Sequence, residues 1–237
     1  MNVFRKHRAA AVLTLAGSAL LISCGSFAVA QDPHPPAVPA DTLMKPATPS
    51  KLSSADGFIQ RWMVLEPTPA NALTQNAVRA LVHKDYFPDQ YTVIPHDGDK
   101  ETVAGKELTW HADDTKLYNF DLYQFARALD KETSNVLFWA VTIVNAPQDI
   151  PNVRLAIGSN AASVWWVNGQ EVIGIYGDRQ TVIDDGISKR LTLKKGPNVI
   201  RAAIVNGGGA TDFCARFLDA DGKPIKGLSV TLSESQK

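Results

Sequence analysis

The residues of this chain that could do chemistry are mostly aromatic and charged side chains in or beside loop-like stretches. Aromatic rings stack on the C–H faces of sugars, and planar polar groups bind sugar hydroxyls through hydrogen bonds. The stretch 176–186 combines an aromatic ring, a guanidinium and several carboxylates, a mixture that would suit a glycan or a partner loop. On this basis we predict seven ligand-binding residues: Trp110, Trp165, Trp166, Tyr176, Arg179, Asp184 and Asn206.

The tryptophans among these residues differ in their expected exposure. Trp165 and Trp166 are adjacent in a strand-like run, so their side chains should point to opposite faces of a sheet. One ring should lie in the core and the other on an outer face or at a loop edge, and the sequence leaves open which. Trp110 lies in a polar stretch and is expected in an exposed loop, while Asn206 precedes a run of three glycines whose backbone could approach a ligand closely.

Groups that could bind metal or act as nucleophiles are sparse. Asp184 and Asp185 could offer oxygens to a structural Ca²⁺, the one cofactor we consider. The stretch 111–114 holds a histidine and two aspartates, but no His-x-x-x-His spacing supports a metal site there. The sequence contains no Gly-x-Ser-x-Gly motif, and residues 158–160 are better explained as a turn between strands. Cys214 is predicted to be a partly buried small residue and not a nucleophile. Because none of these motifs identifies a catalytic group, the catalytic residues of any enzymatic activity are unknown.

The first thirty residues predict export. Three basic residues precede the apolar segment 9–22, which is too short to span a bilayer comfortably. Residues 28–30 form a small-x-small site that predicts cleavage before Gln31, whereas residues 21–24 resemble a bacterial lipobox in which Cys24 would be lipidated. Both outcomes stay open, and we expect a protein that is periplasmic, anchored to the outer membrane or secreted.

Composition and proline content divide the rest of the chain. Residues 31–54 contain six prolines and few large apolar residues, which predicts an extended tether, and residues 55–237 are expected to form a single domain. The chain is 45% hydrophobic and 20% charged, as folded proteins are. Because 24 Lys and Arg balance 24 Asp and Glu, a nucleic-acid partner is not expected.

Strand signals dominate the domain. Asn168-Gly169 joins two extended runs and predicts a hairpin with a type I′ turn. Further extended runs recur at intervals of about 8–12 residues, a spacing typical of sandwiches and barrels. Thr74 could cap a short helix, and residues 122–126 are either a strand or one helical turn. The prediction is an all-β fold, an antiparallel β-sandwich with one or two short helices in its N-terminal half; a Rossmann or α/β-hydrolase fold is disfavoured.

Several motifs resemble the jelly-roll modules of the galactose-binding-like class, which occur in or beside secreted glycan-degrading proteins. They are residues 155–160, residues 164–172, the Leu-Lys-Lys-Gly-Pro-Asn run from Leu193, and residues 215–224. The resemblance covers residues 135–225 and implies a jelly roll, with a polysaccharide or a glycan-degrading enzyme as partner and a structural calcium in some members. The chain is also similar to exported bacterial proteins labelled acetyl xylan esterase.

Three functions therefore stay open at this point. The first is an exported carbohydrate-associated β-sandwich protein that binds polysaccharide at the cell envelope. The second is a carbohydrate esterase, an acetyl xylan esterase that deacetylates plant polysaccharide. The third is a docking or scaffold domain of an envelope assembly, and in all three a membrane would be reached only through a lipid anchor.

Overall fold

A computed structural model describes residues 43–70 and 72–233 of the chain. The predicted leader, Cys24 and the first part of the proline-rich segment lie outside the described residues, so the predictions about them remain predictions. Within the described residues there are sixteen strands and two helices. The strands are β1 Leu43–Met44, β2 Lys51–Leu52, β3 Arg61–Leu65, β4 Thr68–Pro69, β5 Lys100–Val103, β6 Lys106–Thr115, β7 Phe120–Asp121, β8 Val136–Ala146, β9 Ile150–Asn160, β10 Ala162–Val167, β11 Gln170–Ile175, β12 Gly186–Ile187, β13 Leu191–Leu193, β14 Gly196–Asn206, β15 Asp212–Leu218 and β16 Ser229–Thr231; the helices are α1 Gln75–Val82 and α2 Leu122–Ala128.

The strands form two antiparallel sheets, which confirms the predicted all-β sandwich. The larger sheet has the order β1-β6-β3-β8-β14-β10-β11, and the smaller sheet has the order β12-β9-β15-β7 with β13 beside β9. Strand β8 pairs along its whole length with β14 on one side. On its other side it pairs in succession with β16, β3 and β4.

Side-chain alternation along the central strands explains where the core lies. In β8, Phe138 and Ala140 point into the space between the sheets, while Leu137, Trp139 and Val141 point to the opposite face of the larger sheet. The inner core holds a group of aromatic rings in edge-to-face contact, with centroid separations from 5.0 to 5.9 Å, formed by Trp62, Trp165 and Phe213.

The outer face of the larger sheet is also buried, by a second apolar cluster. Helix α1 covers part of it, because Val78, Leu81 and Val82 recur at helical spacing and point down onto the sheet. The segment 83–99, which contains neither helix nor strand, covers another part through Phe87. Burial on both faces explains why β8, β10 and β14 are almost continuously hydrophobic.

One local prediction is confirmed, and a second is confirmed in part. Asn168 and Gly169 have positive φ values of 51° and 78° and join β10 to β11, as a type I′ turn requires. Helix α1 begins directly after Thr74, although the Thr74 side chain makes no capping hydrogen bond. The ambiguous stretch from Leu122 is helical, and Asp121 caps it by accepting a hydrogen bond from the Gln124 backbone N–H.

The folded domain begins earlier than the proline content predicted. Strand β1 pairs with β6 and β2 pairs with β16, so residues 43–44 and 51–52 belong to the larger sheet and are not tether. Between these strands, the guanidinium of Arg61 donates a hydrogen bond of 2.8 Å to the Thr48 carbonyl oxygen. Proline lacks a backbone N–H donor, but a proline-rich segment keeps its carbonyl oxygens as acceptors. The Thr48 carbonyl oxygen is one acceptor through which this segment is held to the sheet.

The thiol of Cys214 is buried on the outer side of β15, while Phe213, Ala215 and Phe217 face the inner core as predicted. Burial, followed by the nearby carboxylates of Asp212 and Asp184, raises the pKa of this thiol to about 12.

We therefore predict that Cys214 is unreactive in the folded protein, because the thiolate is the reactive form. In a Cys24→Ser variant, which leaves Cys214 as the only cysteine, a chromogenic disulfide reagent at pH 8 should react at least a hundredfold more slowly with the folded protein than with the urea-unfolded protein. Equal rates in the two states would contradict the prediction.

The longer of the two described helices has eight residues, and no helix in this part of the chain is long and apolar enough to cross a bilayer.

Candidate functional site

The outer face of the larger sheet carries a chain of aromatic contacts that reaches the surface. The ring of Trp139, from β8, lies 5.8 Å from that of Trp166, from β10. Tyr91 packs over both, with centroid distances of 5.9 and 5.5 Å, and Tyr86 and Phe87 approach Trp139 edge-on. The two tryptophans are buried, whereas the two tyrosines are partly exposed. Buried indoles thus support tyrosine rings that remain accessible to solvent.

A groove of about 620 Å³ lies along residues 85–92, and we call it the aromatic groove. Tyr86, Phe87 and Tyr91 line it together with the exposed carboxylates of Asp85 and Asp89. A concave surface with aromatic rings and a few polar groups is the usual form of a small-ligand site.

The loop around the groove is held by side-chain to backbone hydrogen bonds. Buried Gln90 accepts a hydrogen bond of 2.8 Å from the Tyr86 N–H and donates one of 2.7 Å to the Lys84 carbonyl oxygen. The Tyr91 hydroxyl donates to the Val82 carbonyl oxygen at 2.6 Å, which ties the loop to the end of α1. These bonds fix the separation of the two tyrosines without a regular secondary structure.

Both tyrosine hydroxyls stay protonated at neutral pH. Burial raises the pKa of Tyr86 to about 12, and burial also raises the pKa of Tyr91. While the Tyr91 hydroxyl is engaged, that of Tyr86 makes no hydrogen bond to any other described residue. It is therefore a donor available to a ligand in the groove.

A group of polar side chains, which we call the polar cluster, lies beside the groove and comprises Arg79, His83, Glu171 and Tyr176. Both terminal nitrogens of Arg79 donate to the Glu171 carboxylate, and His83 Nε2 lies 3.3 Å from the same group. Arg79 also donates to the Tyr176 hydroxyl at 3.3 Å. Hydrogen bonds to Tyr176 and Glu171 raise the pKa of Arg79, so its charge is fixed.

The elements that position the polar cluster are α1 and the β10–β11 hairpin. Arg79 and His83 are four residues apart and therefore lie on one side of the helix end. Glu171 lies in β11 just after the turn, and the strand brings it opposite the helix. The His83 ring lies 6.2 Å from that of Tyr91, so the polar cluster adjoins the aromatic groove.

The structure places Trp165 and Trp166 on opposite faces, as predicted. Trp165 lies in the inner core, and its indole nitrogen donates to the Ser163 hydroxyl at 2.8 Å. Trp166 lies in the outer cluster beneath Tyr91. Of the seven predicted ligand-binding residues, Trp166 and Tyr176 are the two that belong to the site described here; binding by any of the seven remains a prediction.

In the loop after β11, Arg179 donates a hydrogen bond of 3.3 Å to the Tyr176 carbonyl oxygen. Arg179 pairs with Asp185, and Asp184 makes a two-pronged ion pair with Arg216, which fastens the loop to β15. The Tyr176 hydroxyl, in contrast, points to Arg79.

The same ion pairs bear on the expected calcium site. Asp184 and Asp185 each direct their carboxylate to a guanidinium, and the described residues contain no group of three or more His, Cys, Asp or Glu side chains that could hold a metal ion. A calcium ion at these two residues would have to displace both arginines, and it remains a prediction.

Close approach of this loop to the smaller sheet requires a glycine. A Cβ atom at Gly158 would lie 2.1 Å from the Val182 carbonyl oxygen and 3.1 Å from the Cys214 sulfur. Residues 158–160 were predicted to form a turn, but they lie in β9, and the loop packs against Gly158.

Two further predicted site residues, Trp110 and Asn206, also lie in the interior. The expected exposure of Trp110 is wrong, because it lies in β6 with its ring fully buried against Phe87. The stretch 109–112 looked like a polar loop because one face of the strand carries polar side chains. Asn206 is also fully buried, and it donates to the Thr133 carbonyl oxygen and accepts from the Gly208 N–H, which organises the glycine loop.

The residues considered for catalysis are engaged elsewhere. His111 and Asp114 lie on opposite faces of β6; His111 approaches Glu66 at 3.4 Å and Asp114 pairs with Arg61. Ser159 is buried, and its hydroxyl contacts Ser163 and the Ala161 carbonyl oxygen. No serine in the described ranges is hydrogen-bonded to a histidine.

Among the residues of the site that sequence reasoning missed are Arg79, His83, Tyr86 and Tyr91. They come from a helix and a loop distant in sequence from Trp166 and Tyr176, and only the fold brings them together. The signal that could have drawn attention to them is the density of aromatic and charged residues in 83–91, a stretch without strand or helix pattern.

Comparisons with known proteins give distant structural similarities. No family model matches the sequence, and no curated protein matches it. The structure is similar to the PA14 sugar-binding domain from an RTX adhesin, with a TM-score of 0.43 and 13% identity over 72% of this chain and 96% of that domain. It is also similar to the PA14 domain of the antifreeze protein MpAFP, with a TM-score of 0.38 and 12% identity over 78% of this chain and 92% of that one. A third similarity is to Kluyveromyces marxianus β-glucosidase in complex with glucose, with a TM-score of 0.37 and 14% identity over 67% of this chain and 16% of the enzyme.

Proposed function

We propose that this domain binds a carbohydrate in the aromatic groove. The observation that carries the proposal is the pair of partly exposed tyrosines, Tyr86 and Tyr91, held in a groove of about 620 Å³ on buried indoles. Such rings offer a large contact area at small entropic cost, because their packing already fixes their orientation.

The polar groups around the groove match the needs of a sugar. The Tyr86 hydroxyl can donate to a sugar oxygen, and the carboxylates of Asp85 and Asp89 can accept from sugar hydroxyls. At one end, the His83 side chain and the ion pair between Arg79 and Glu171 are partly exposed and can bind hydroxyls of a further sugar unit.

Retardation on polysaccharide affinity gels tests the proposal. The wild-type protein should be retarded by at least one of xylan, pectin, alginate or β-glucan. Tyr86→Ala should weaken the apparent affinity roughly tenfold, about 1.4 kcal/mol, through loss of a stacking ring and a donor. The control is Tyr118→Ala, which removes another partly exposed tyrosine, one that packs on Phe58 at 5.6 Å outside the groove.

Three outcomes would contradict the proposal. They are the absence of retardation on every gel, an unchanged affinity in Tyr86→Ala, and equal losses in Tyr86→Ala and Tyr118→Ala. Release of acetate from acetylated xylan would instead favour the esterase, and recovery of a protein partner by a non-retarded domain would favour the docking role.

We further propose that the domain acts outside the cytoplasm, at the cell envelope. Support comes from the basic start, the apolar segment 9–22 and the two candidate processing sites that follow. Mass spectrometry of the protein from cell fractions should find either diacylglycerol on Cys24 or a chain that starts at Gln31. An unprocessed chain that retains Met1 in the cytoplasm would contradict the proposal.

A further inference from the structure

The guanidinium of Arg201 is buried on the outer face of the larger sheet, and no described residue supplies it with a counter-charge. The side chain points outward because its neighbours in β14, Ile200 and Ala202, face the inner core. Arg201 is 1% exposed. Its Nη2 donates a hydrogen bond to the Val93 carbonyl oxygen, but its Nε and Nη1 have no hydrogen-bond partner in the described ranges. An ionised group buried in this way is strongly disfavoured unless a partner compensates it.

A second unsatisfied donor lies nearby. The indole nitrogen of Trp139 is buried and has no acceptor among the described residues. Arg201 is the cross-strand neighbour of Trp166, and the Trp166 ring lies 5.8 Å from that of Trp139. Both donors therefore belong to the aromatic cluster that supports the groove, and both lack the oxygen atoms that would satisfy them.

Comparison with Arg61 shows what is missing. Arg61 is also 1% exposed on the outer face, but its Nε and Nη2 donate to the two oxygens of Asp114 at 2.7 and 2.9 Å. Arg216 is held in the same manner by Asp184. At Arg61 and Arg216 a carboxylate takes the Nε and Nη2 edge, whereas at Arg201 the described residues supply a single carbonyl oxygen.

We propose that Arg201 binds the carboxylate of an acidic sugar, so that the ligand of the aromatic groove is a polysaccharide that contains hexuronic acid. This inference rests on the proposed function. The carboxylate takes the Nε and Nη2 edge in place of the Val93 carbonyl oxygen, and a sugar oxygen accepts from the Trp139 indole nitrogen. A bidentate pair of this kind is the strong and geometrically specific form of carboxylate recognition.

The exposed carboxylates at the groove oppose an anionic ligand only weakly, while the buried guanidinium of Arg201 attracts it. The carboxylates of Asp85 and Asp89 at the groove are solvent-exposed, where salt screens their repulsion of the ligand. Arg201 acts from a water-excluded site, where an attractive charge has a larger effect. To reach it, the ligand must displace the part of segment 83–99 around Val93, which lies in neither helix nor strand and is partly exposed.

Paired ligands that differ only in charge test the inference. Oligosaccharides of galacturonate, mannuronate and glucuronoxylan are titrated calorimetrically against the wild-type protein, each beside its methyl ester. We expect at least one acid to bind tenfold or more tightly than its ester. Arg201→Met should reduce this preference to twofold or less, whereas Arg190→Met, which removes an exposed guanidinium elsewhere, should leave it unchanged.

The outcomes separate the two proposals. If acid and ester bind equally well to the wild type, and Tyr86→Ala weakens both, the inference is overturned while carbohydrate binding stands. A preference that survives Arg201→Met, or that is lost in Arg190→Met, also overturns the inference. If no acid or ester binds and no neutral polysaccharide retards the protein, the proposed function fails as well. Should Arg201→Met not fold, equal binding of acid and ester by the wild type would still overturn the inference, and Arg201→Lys, which cannot form the two-pronged pair, should then weaken the preference for the acid.

Discussion

Asp114→Asn is expected to lower the free energy of unfolding by roughly 3–5 kcal/mol. The substitution leaves Arg61 buried without the carboxylate that now accepts two of its hydrogen bonds, at 2.7 and 2.9 Å. It also removes the nearest acidic partner of Lys51, whose ammonium lies 3.9 Å from the Asp114 carboxylate. The large cost arises from the uncompensated charge that remains, since an intact buried pair need not itself be strongly stabilising.

Urea denaturation measures this effect, and Glu107→Gln is the matched control. Glu107 pairs with Lys100 on the surface, where both side chains are more than half exposed. Exposed pairs contribute little, so the control should unfold as the wild type does. If Asp114→Asn lowers the free energy of unfolding no more than the control does, water must reach the Arg61 guanidinium and compensate its charge.

Arg201→Met is expected to have the opposite effect and to raise the free energy of unfolding by about 1–4 kcal/mol. Methionine is flexible and of similar length, so it can fill the space next to Trp166 without a charge. Burial lowers the pKa of Arg201 to about 10, which means that the folded state disfavours the charged form. Because the folded pKa lies below the unfolded one, this destabilisation is fully present below pH 10 and declines as the pH rises further.

The same urea experiment checks this prediction, with Arg201→Lys as the variant that keeps a charge. The lysine variant should gain no stability, because its ammonium is also buried without a counter-charge. A methionine variant less stable than the wild type would mean that Arg201 has a compensating partner, and the argument for an anionic ligand would lose its basis. If Arg201→Met is more stable than the wild type, this would agree with the view that Arg201 is kept for ligand binding although it destabilises the fold.

The fold could be predicted from the sequence wherever local chemistry determines it. Asn168-Gly169 specifies its hairpin through positive φ angles, and the alternation around Cys214 specifies which side chains of β15 face the core. The start of the domain was missed because a two-residue strand such as β1 leaves almost no pattern. Trp110 was misplaced because the polar residues beside it occupy the opposite face of a long strand.

The site was harder to predict because it depends on tertiary contacts. Local sequence gave no reason to connect Arg79 with Glu171, which are 92 residues apart. It grouped Arg179 and Asp184 with Tyr176 because they are close in sequence, yet their ion-pair partners are Asp185 and Arg216, and the hydrogen bond from Arg179 to Tyr176 goes to the backbone carbonyl oxygen. Nor could it show that the outer face of the larger sheet is buried, since that depends on where the segment 83–99 lies.

The five indole N–H signals in a ¹H–¹⁵N spectrum give the most direct test of the central claim. Trp139 and Trp166 support the aromatic groove, while Trp62 and Trp165 lie in the inner core. On titration with the oligosaccharide that binds best, the signals of Trp139 and Trp166 should shift and those of Trp62 and Trp165 should stay in place. Saturable binding with no shift at Trp139 or Trp166, or with shifts confined to backbone amides of the separate groove that Asn168 and Lys194 line, would contradict the account.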